Sequence, residues 1–523
     1  MIAAVIAGVA WLALARKDQS LAADLETASQ SLERNATRII GATALVAAIV
    51  ASAFATRSAA GADASGYLSQ AHEWASGVPF HLDRSLPSEL TLDGWLTTPL
   101  GWRPMRAENC RRCEGVQVPT YPVGLPLLMA IPHAIGGLTG ANAVVIASAA
   151  IAVWAAGMLA GGVAGVLAAA LIAFSPVFLY QAFQPMSDVP VTAAWIVCFV
   201  FVRRQSAVAG IACAIAILIR PNLAPLAIVP FVVAANKPAF AVAVVPAGAF
   251  LGFMQFVFYG SPLRSGYGSA EELFSISNVG PNIVRYFNWL IATAPVLLLA
   301  PFAFVRLKSN SHVRAFMVFA LLVVGAYLIY AVFDHWSYLR FLLPAMAVFA
   351  IFAGIELAAW IDRWPVAIRF PIFVALMLGI IAHSLFVARS LDTFKLNEQF
   401  RRVEQVADAI NHTAPSNAVI IAGEQSGSMR YYTGRSILRW EAATPDIFPK
   451  AIETVLKAER PIYIVLDAWE MEPFREKFAE VGPAALDWPA MIEAGSSHRT
   501  LAWNLADRFR FQIGQRIYTI RIP

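Results

Sequence analysis

The chain has 523 residues, 58% of them hydrophobic and only 14% charged, whereas an ordinary soluble protein carries roughly 25% charged residues. That excludes a soluble fold and leaves a polytopic membrane protein. The formal net charge of +5 is held in short Lys and Arg clusters between apolar runs, with no basic stripe or tail that would follow phosphates, so nucleic acid is set aside as a partner.

About 20 mainly apolar residues cross the hydrocarbon core of a bilayer, and shorter runs do so at kinks or with snorkelling flanks. Runs of this kind lie at 2–15, 39–56, 143–159, 163–178, 189–202, 207–219, 223–235, 240–258, 288–304, 315–333, 341–360 and 370–388. The first is short enough for the apolar part of a signal peptide, but no small-residue cleavage site follows it and Arg16-Lys17 lies on its far side. An uncleaved extra span is the expectation. Arg16, Lys17, Arg34 and Arg38 precede the second run and Arg203-Arg204 follow the fifth. Lys237, then Arg306, Lys308 and Arg314, then Arg363 and Arg369 fall at alternate connections. The positive-inside bias assigns all of these to the cytoplasm. The opposite, periplasmic face of an inner membrane then receives Asp63 with the outer loop 57–120, Ser175 to Asp188, Arg220, the loop 259–285, Asp334 to Arg340, and everything after Arg389. No internal repeat is visible.

Asp63 stands a few residues beyond the second run and opens the polar stretch Gly-Ala-Asp-Ala-Ser-Gly-Tyr. A carboxylate where a spanning helix meets water is cheap to ionise and well placed for a base; the alternative is an N-cap for a helix starting near Ala64. Cys110 and Cys113, in the outer loop, read as a local disulfide in an oxidising compartment, in preference to half a zinc site with the distant His72 and His81. Cys198 and Cys213, inside spans, read as small buried apolar residues. Arg220 and Arg340 interrupt or head apolar runs, where a cation is costly unless it is paired, faces water or snorkels. The chain divides on this reading into 1–38, a membrane domain at 39–388, and a tail at 389–523.

Within the tail, helices are expected at 399–412 and 449–458 and strands at 418–422, 436–440, 462–466 and 516–522. That alternation implies a small extracytoplasmic α/β domain. Its segment 422–428, Ala-Gly-Glu-Gln-Ser-Gly-Ser, offers Gly423, Ser426 and Ser428 either to a phosphate or to a plain strand-to-helix turn, and the turn is the better match because the spacing fits no phosphate loop.

Several short motifs then follow in a fixed order on the outer face: Asp63, Tyr-Pro-Val-Gly-Leu-Pro at 121–126, Ser-Pro at 175–176, Ser-Asp-Val-Pro at 187–190, Arg-Pro at 220–221, Tyr-Gly-Ser-Pro at 259–262, Ser-Gly-Tyr-Gly at 265–268 and Arg-Phe-Leu-Leu-Pro at 340–344. Over about residues 39–388 this order resembles the polyprenyl-phosphate-sugar-dependent membrane glycosyltransferases of the C-type (GT-C) fold, which include the protein O-mannosyltransferases and the lipid A aminoarabinose transferase. Asp63 is followed by Ala where protein mannosyltransferases often carry a second acid, which speaks against the protein-modifying branch.

The resemblance implies 11–12 spans, a lipid-phosphate sugar donor and an acceptor hydroxyl. Asp63 would be the general base. Asp188 takes the family's second acidic position, to orient the acceptor, bind sugar hydroxyls or help hold a divalent cation. Arg340, Arg220 and Arg264 are candidates for the donor phosphate, and Tyr121, Tyr267 and His335 for sugar or acceptor contacts, with His335 a second candidate for a cation. Interface anchoring accounts equally for Tyr121 and Tyr267, and a helix start for Asp188. An envelope glycan or glycolipid is the expected acceptor, a protein the alternative. A lipid-linked glycan polymerase or ligase, and a secondary transporter, are the competing classes; the transporter suffers from the lack of repeats.

Overall fold

A computed structural model describes residues 19–522 apart from 84–85, 87–89, 91–93, 106–114, 269 and 497. The expected span at 2–15 and the Cys110–Cys113 pair lie outside the described residues.

The protein is a multi-pass membrane protein. Among the described residues six helices are long and apolar enough to cross a bilayer: Ser20–Phe54, Gly124–Ala160, Lys237–Tyr259, Ser311–Leu328, Trp336–Ile361 and Val366–Ser390. Two further apolar helix pairs are sharply bent. Gly162–Ala173 and Pro176–Ala182 meet at 61°, and Ile276–Thr293 and Pro295–Leu307 at 109°. Both breaks fall at a proline, which removes a backbone donor and clashes with the preceding turn. Asp188–Phe201, Ser206–Ile219 and Pro221–Val233 are shorter apolar helices. Each of the expected apolar runs from residue 39 onward thus meets a helix or a bent pair. Large apolar side chains such as Leu45, Ile131, Val242, Phe253 and Leu378 remain exposed on these helices, as helices that are hydrophobic all round do when lipid is their solvent. The boundaries moved in two ways. The helix Gly124–Ala160 starts well before its apolar run and kinks at Gly136 and Gly137, and the run at 315–333 stops being helical at Leu328.

The described chain forms two compact units, the first of residues 1–55, 143–250 and 270–394, the second of 56–142, 251–269 and 395–523. The first unit contains most of the spans.

In the second unit, the helix Gly61–Ala75 leads into a three-stranded antiparallel sheet of β1 (His81–Leu82), β2 (Trp102–Pro104) and β3 (Val116–Pro119), in the order β1-β3-β2. The C-terminal part of the unit is a mixed six-stranded sheet of β4 (Val419–Ala422), β5 (Ser436–Arg439), β6 (Ile462–Asp467), β7 (Ile492–Ala494), β8 (Thr500–Asn504) and β9 (Ile520–Ile522), in the order β5-β4-β6-β8-β7-β9. β4 pairs parallel with β5 and β6, and β8 antiparallel with β6 and β7. The central strands β4 and β6 are buried along their whole length, hence their unbroken Val, Ile and Leu runs. Helices cover both faces: Leu396–Thr413 packs Val403, Val406 and Ile410 on one, and Ile447–Lys457 packs Phe448, Ile452 and Val455 on the other. Leu86, Leu90 and Leu96 of the long loop share this second core, and Arg439 N–H donates to Leu96 O at 2.7 Å. The outer loop and the tail are therefore built as one body.

Candidate functional site

The first turn of the helix Gly61–Ala75 carries Asp63, and that helix does not cap itself. Ala60 holds the N-cap position and makes no side-chain bond, while Asp63 is the third helical residue. The cap reading of Asp63 is thus not how the helix begins. Its early N–H groups, which no helix can satisfy internally, are taken by side chains from the C-terminal sheet. Gly61 N–H donates to Gln425 Oε1 at 3.0 Å, Ala62 N–H donates to the Glu424 carboxylate, and just upstream Ala59 N–H donates to the Tyr432 hydroxyl.

Tyr121 lies over the same turn. Its hydroxyl donates to Asp63, and burial, followed by the Asp63 charge and that bond, pushes its pKa well above the usual tyrosine value. The Tyr121 ring lies 4.7 Å from Tyr67 and 5.9 Å from Tyr267, centroid to centroid. Close approach depends on two glycines: a Cβ at Gly66 would fall 2.3 Å from Tyr121 Cε2, and one at Gly266 would fall 2.0 Å from Thr120 O. Tyr121 is only 5% exposed and Tyr267 is 41% exposed. Of the two tyrosines among the sugar-contact candidates, Tyr267 is therefore the accessible one. Arg103 donates to Ser265 O at 3.3 Å and Gly266 O at 2.5 Å, fixing the loop that bears Tyr267 and the half-buried Arg264. His72 rests 5.7 Å from the His133 ring and Glu73 holds His81 Nδ1 at 2.7 Å.

Behind Asp63 is a set of carboxyls. Burial first, then the charges of Glu441, Asp63 and Asp467, push the Glu424 pKa up to about 7. Glu470 is also pushed up to about 7, again mainly by burial, while it accepts the N–H groups of Glu424 at 2.9 Å and Asp467 at 2.8 Å. Segment 422–428 is the strand-to-helix turn. Ser426 Oγ accepts Leu100 N–H at 3.0 Å, Ser428 Oγ donates to Gln425 Oε1 at 3.2 Å, and Gly423 abuts Glu470 and Trp440. Surroundings this acidic do not suit a phosphate.

In the first unit, Asp188 starts the helix Asp188–Phe201, with Ser187 at the N-cap position. Asp188 Oδ1 accepts from Arg220 Nη2 at 2.5 Å, and Asp188 Oδ2 is buried with no hydrogen bond. Arg220 ends the helix Ser206–Ile219, immediately before Pro221. Its guanidinium carbon lies 5.7 Å from the centroid of Phe341 and 5.9 Å from that of Tyr327, while that of Arg340 lies 5.3 Å from Phe341 and 5.1 Å from Tyr338. Both arginines therefore meet at one aromatic ring, held by the attraction of a cation for a π face. His335 is spent on a cap: it begins the 3-10 turn Trp336–Leu342, with Nδ1 2.8 Å from Ser337 Oγ. Among the described residues no three His, Cys, Asp or Glu side chains converge as metal ligands. With one Asp188 oxygen on Arg220 and His335 Nδ1 beside Ser337 Oγ, neither offers a divalent cation a ligand set.

Two solved structures share this architecture. ArnT from Cupriavidus metallidurans in the apo state superimposes with a TM-score of 0.53 at 12% identity, covering 89% of this chain and 97% of that one. The same protein bound to undecaprenyl phosphate gives 0.52 at 13% identity, over 88% and 97%. This chain has the GT-C fold. No protein-family model and no curated protein matches the sequence.

The second unit carries an acid at a helix start with a tyrosine on its carboxylate, and the first carries two cations on one ring. Sequence reasoning missed Tyr67, Arg103, Gln425 and Glu424. Glu424 and Gln425 stood in the segment 422–428, which reads only as a strand-to-helix turn. Asp63, Tyr67 and Gln70 share one face of their helix by spacing, and both amide atoms of Gln70 are buried without a hydrogen bond.

Proposed function

We propose that this chain is a membrane glycosyltransferase that moves a sugar from a polyprenyl-phosphate donor to a hydroxyl of an extracytoplasmic envelope glycan or glycolipid, with Asp63 as general base. The reading rests on one observation above the others: the GT-C fold carries, in the turn where the sequence motifs put it, a half-buried carboxylate whose position is fixed by Tyr121. That one ArnT structure of this fold holds undecaprenyl phosphate supports the donor class. The Lys and Arg distribution supports an inner-membrane setting with Asp63 and the C-terminal sheet toward the periplasm.

In this reaction the acceptor O–H gives its proton to Asp63 and its oxygen forms the new bond to the anomeric carbon. The bond from that carbon to the phosphate oxygen breaks, and the electron pair leaves with polyprenyl phosphate. A guanidinium is the natural partner for that growing charge. Arg340 and Arg220, whose guanidiniums share the Phe341 ring, are the candidates, and Asp188 occupies one edge of Arg220. Tyr267 is the accessible ring for a sugar face, and Arg264, on the same loop, is a further phosphate candidate.

The test uses the purified protein in vesicles of lipid extracted from cells lacking it, including their own polyprenyl-phosphate sugars. Release of undecaprenyl phosphate is read by mass spectrometry. Asp63→Asn is expected to abolish release while leaving expression and membrane insertion intact. Full release by Asp63→Asn would refute the assignment of the base, and no release by the native protein would refute the transferase.

A further inference from the structure

We propose that Glu424, a residue of the C-terminal sheet, is a positioning residue for the Asp63 base: its carboxylate holds the first turn of the Asp63 helix through the Ala62 N–H and, by its negative charge, favours transfer of the acceptor proton onto Asp63. The inference deepens the transferase reading and rests on it.

The geometry gives Glu424 two ties to the catalytic turn. Its carboxylate accepts the Ala62 N–H, next to the Gly61 N–H held by Gln425, so consecutive residues of one loop cap consecutive residues of the helix. A carboxylate here is also favoured by the positive end of the helix dipole. A Cβ at Gly61 would lie 3.5 Å from Glu424 Oε1, which places the acid against the turn itself. Its own N–H donates to Glu470 Oε1 at 2.9 Å, so the loop cannot swing away without breaking a buried bond.

The charges facing Glu424 come from several elements. Asp63 faces it from the helix, Glu441 from the turn after β5, Asp467 from the end of β6, and Glu470 from the turn that follows. Arg402 of the helix Leu396–Thr413 is paired with Asp467 at 3.2 Å, which partly offsets that acid. Two neighbouring carboxylates repel, and protonating one relieves the other. When Asp63 takes the acceptor proton it becomes a neutral acid, and the repulsion from Glu424 disappears in the same step. No atom of Glu424 needs to touch the substrate. Protonated Glu424 exerts no such drive, so turnover rises as Glu424 ionises, around pH 7 from the burial and charge at this position.

The experiment follows undecaprenyl phosphate release from the extracted donor pool across pH in the full-length protein. The native enzyme is expected to show kcat rising through a step near pH 7. Glu424→Gln keeps an oxygen for the Ala62 N–H but no charge: the step should vanish and kcat above it should fall severalfold, with KM little changed. Glu441→Gln removes an exposed negative neighbour and should move the step to lower pH, an outcome a purely structural glutamate would not produce. It also decides the matter if Glu424→Gln fails to fold. A step that survives Glu424→Gln, or that Glu441→Gln leaves in place, overturns the inference. Asp63→Asn run alongside separates the two claims: activity in that variant removes the base assignment itself, whereas its inactivity together with an unaltered step in Glu424→Gln removes only the role of Glu424.

Discussion

Gly66→Ala tests whether Tyr121 is truly seated on the Asp63 helix. The added methyl would stand 2.3 Å from Tyr121 Cε2 and 2.7 Å from Cδ2, with Gly101 Cα 3.0 Å away. Carbon atoms in contact settle at about 3.5–4.0 Å, so ring or helix must give way by more than about 1 Å. The ring is flanked by Tyr67 and Tyr267, and Gly101 Cα leaves the methyl no room beside it. Overpacking of this kind costs about 1–3 kcal/mol. The rate should suffer more than the fold, because moving Tyr121 breaks its bond to Asp63. Losing a hydrogen bond to a charged group is worth about 1.5–3 kcal/mol, which is roughly ten- to a hundredfold in rate if it appears wholly in the barrier. Thermal unfolding by tryptophan fluorescence and undecaprenyl phosphate release measure the two effects. Adding Tyr121→Ser removes the ring, and should restore stability to Gly66→Ala without restoring the rate. The reasoning fails if Gly66→Ala is native in both assays, or if the two substitutions are simply additive in stability.

Tyr121→Phe, which leaves the packing in place, is expected to lower kcat about tenfold or more with little change in unfolding temperature, measured in the same release assay. The second unit should also lose stability as pH rises. Glu470 is pushed up to about 7 in the fold against roughly 4.3 in an unfolded chain, so between those values the folded protein holds the extra proton. Stability is then full below about pH 4.3 and falls until about pH 7, by up to a few kcal/mol. Denaturant unfolding at pH 5 and pH 8 should show that loss, and Glu470→Gln should diminish it.

The membrane architecture was legible because it is one-dimensional: an apolar run of the right length must cross, and the prolines at 176 and 295 mark where two of the runs break. Asp63 was legible as a lone acid next to such a run. What surrounds it was not. Glu424 and Gln425 reach the turn from more than 300 residues away in the chain, through a sheet whose strands are four to six residues long there. No local pattern encodes that contact. β7 and β8 left no comparable signal, since Ile492–Ala494 is three residues long and its register is set by its neighbours β8 and β9. The loop at 422–428 is the converse case: its glycine and serine spacing fits no phosphate loop and marks a strand-to-helix turn, which Glu470 and Asp467, remote in sequence, make acidic. In the first unit, Arg220 and Asp188 were each singled out for separate tasks. Their ion pair became visible only once two short helices lay side by side.

That pairing separates two arginines that sequence treats alike. Arg220 is 8% exposed and its Nη2 holds Asp188, so removing either partner leaves a buried charge uncompensated, at about 3–5 kcal/mol. Arg220→Gln and Asp188→Asn are therefore expected to fail first in folding, and the double substitution to recover much of the loss. Arg340 is half-buried and rests on Tyr338 and Phe341, ring faces that attract a guanidinium. Arg340→Gln should then fold normally and weaken binding of undecaprenyl phosphate about tenfold, equivalent to about 1.4 kcal/mol, with Arg340→Lys intermediate because a point charge replaces a planar fork. Binding is read by titrating the purified protein with undecaprenyl phosphate in detergent. If Arg340→Gln binds as the native protein does, while the refolded Asp188→Asn, Arg220→Gln double variant does not, the phosphate belongs to Arg220, and its bond to Asp188 must open when the lipid arrives.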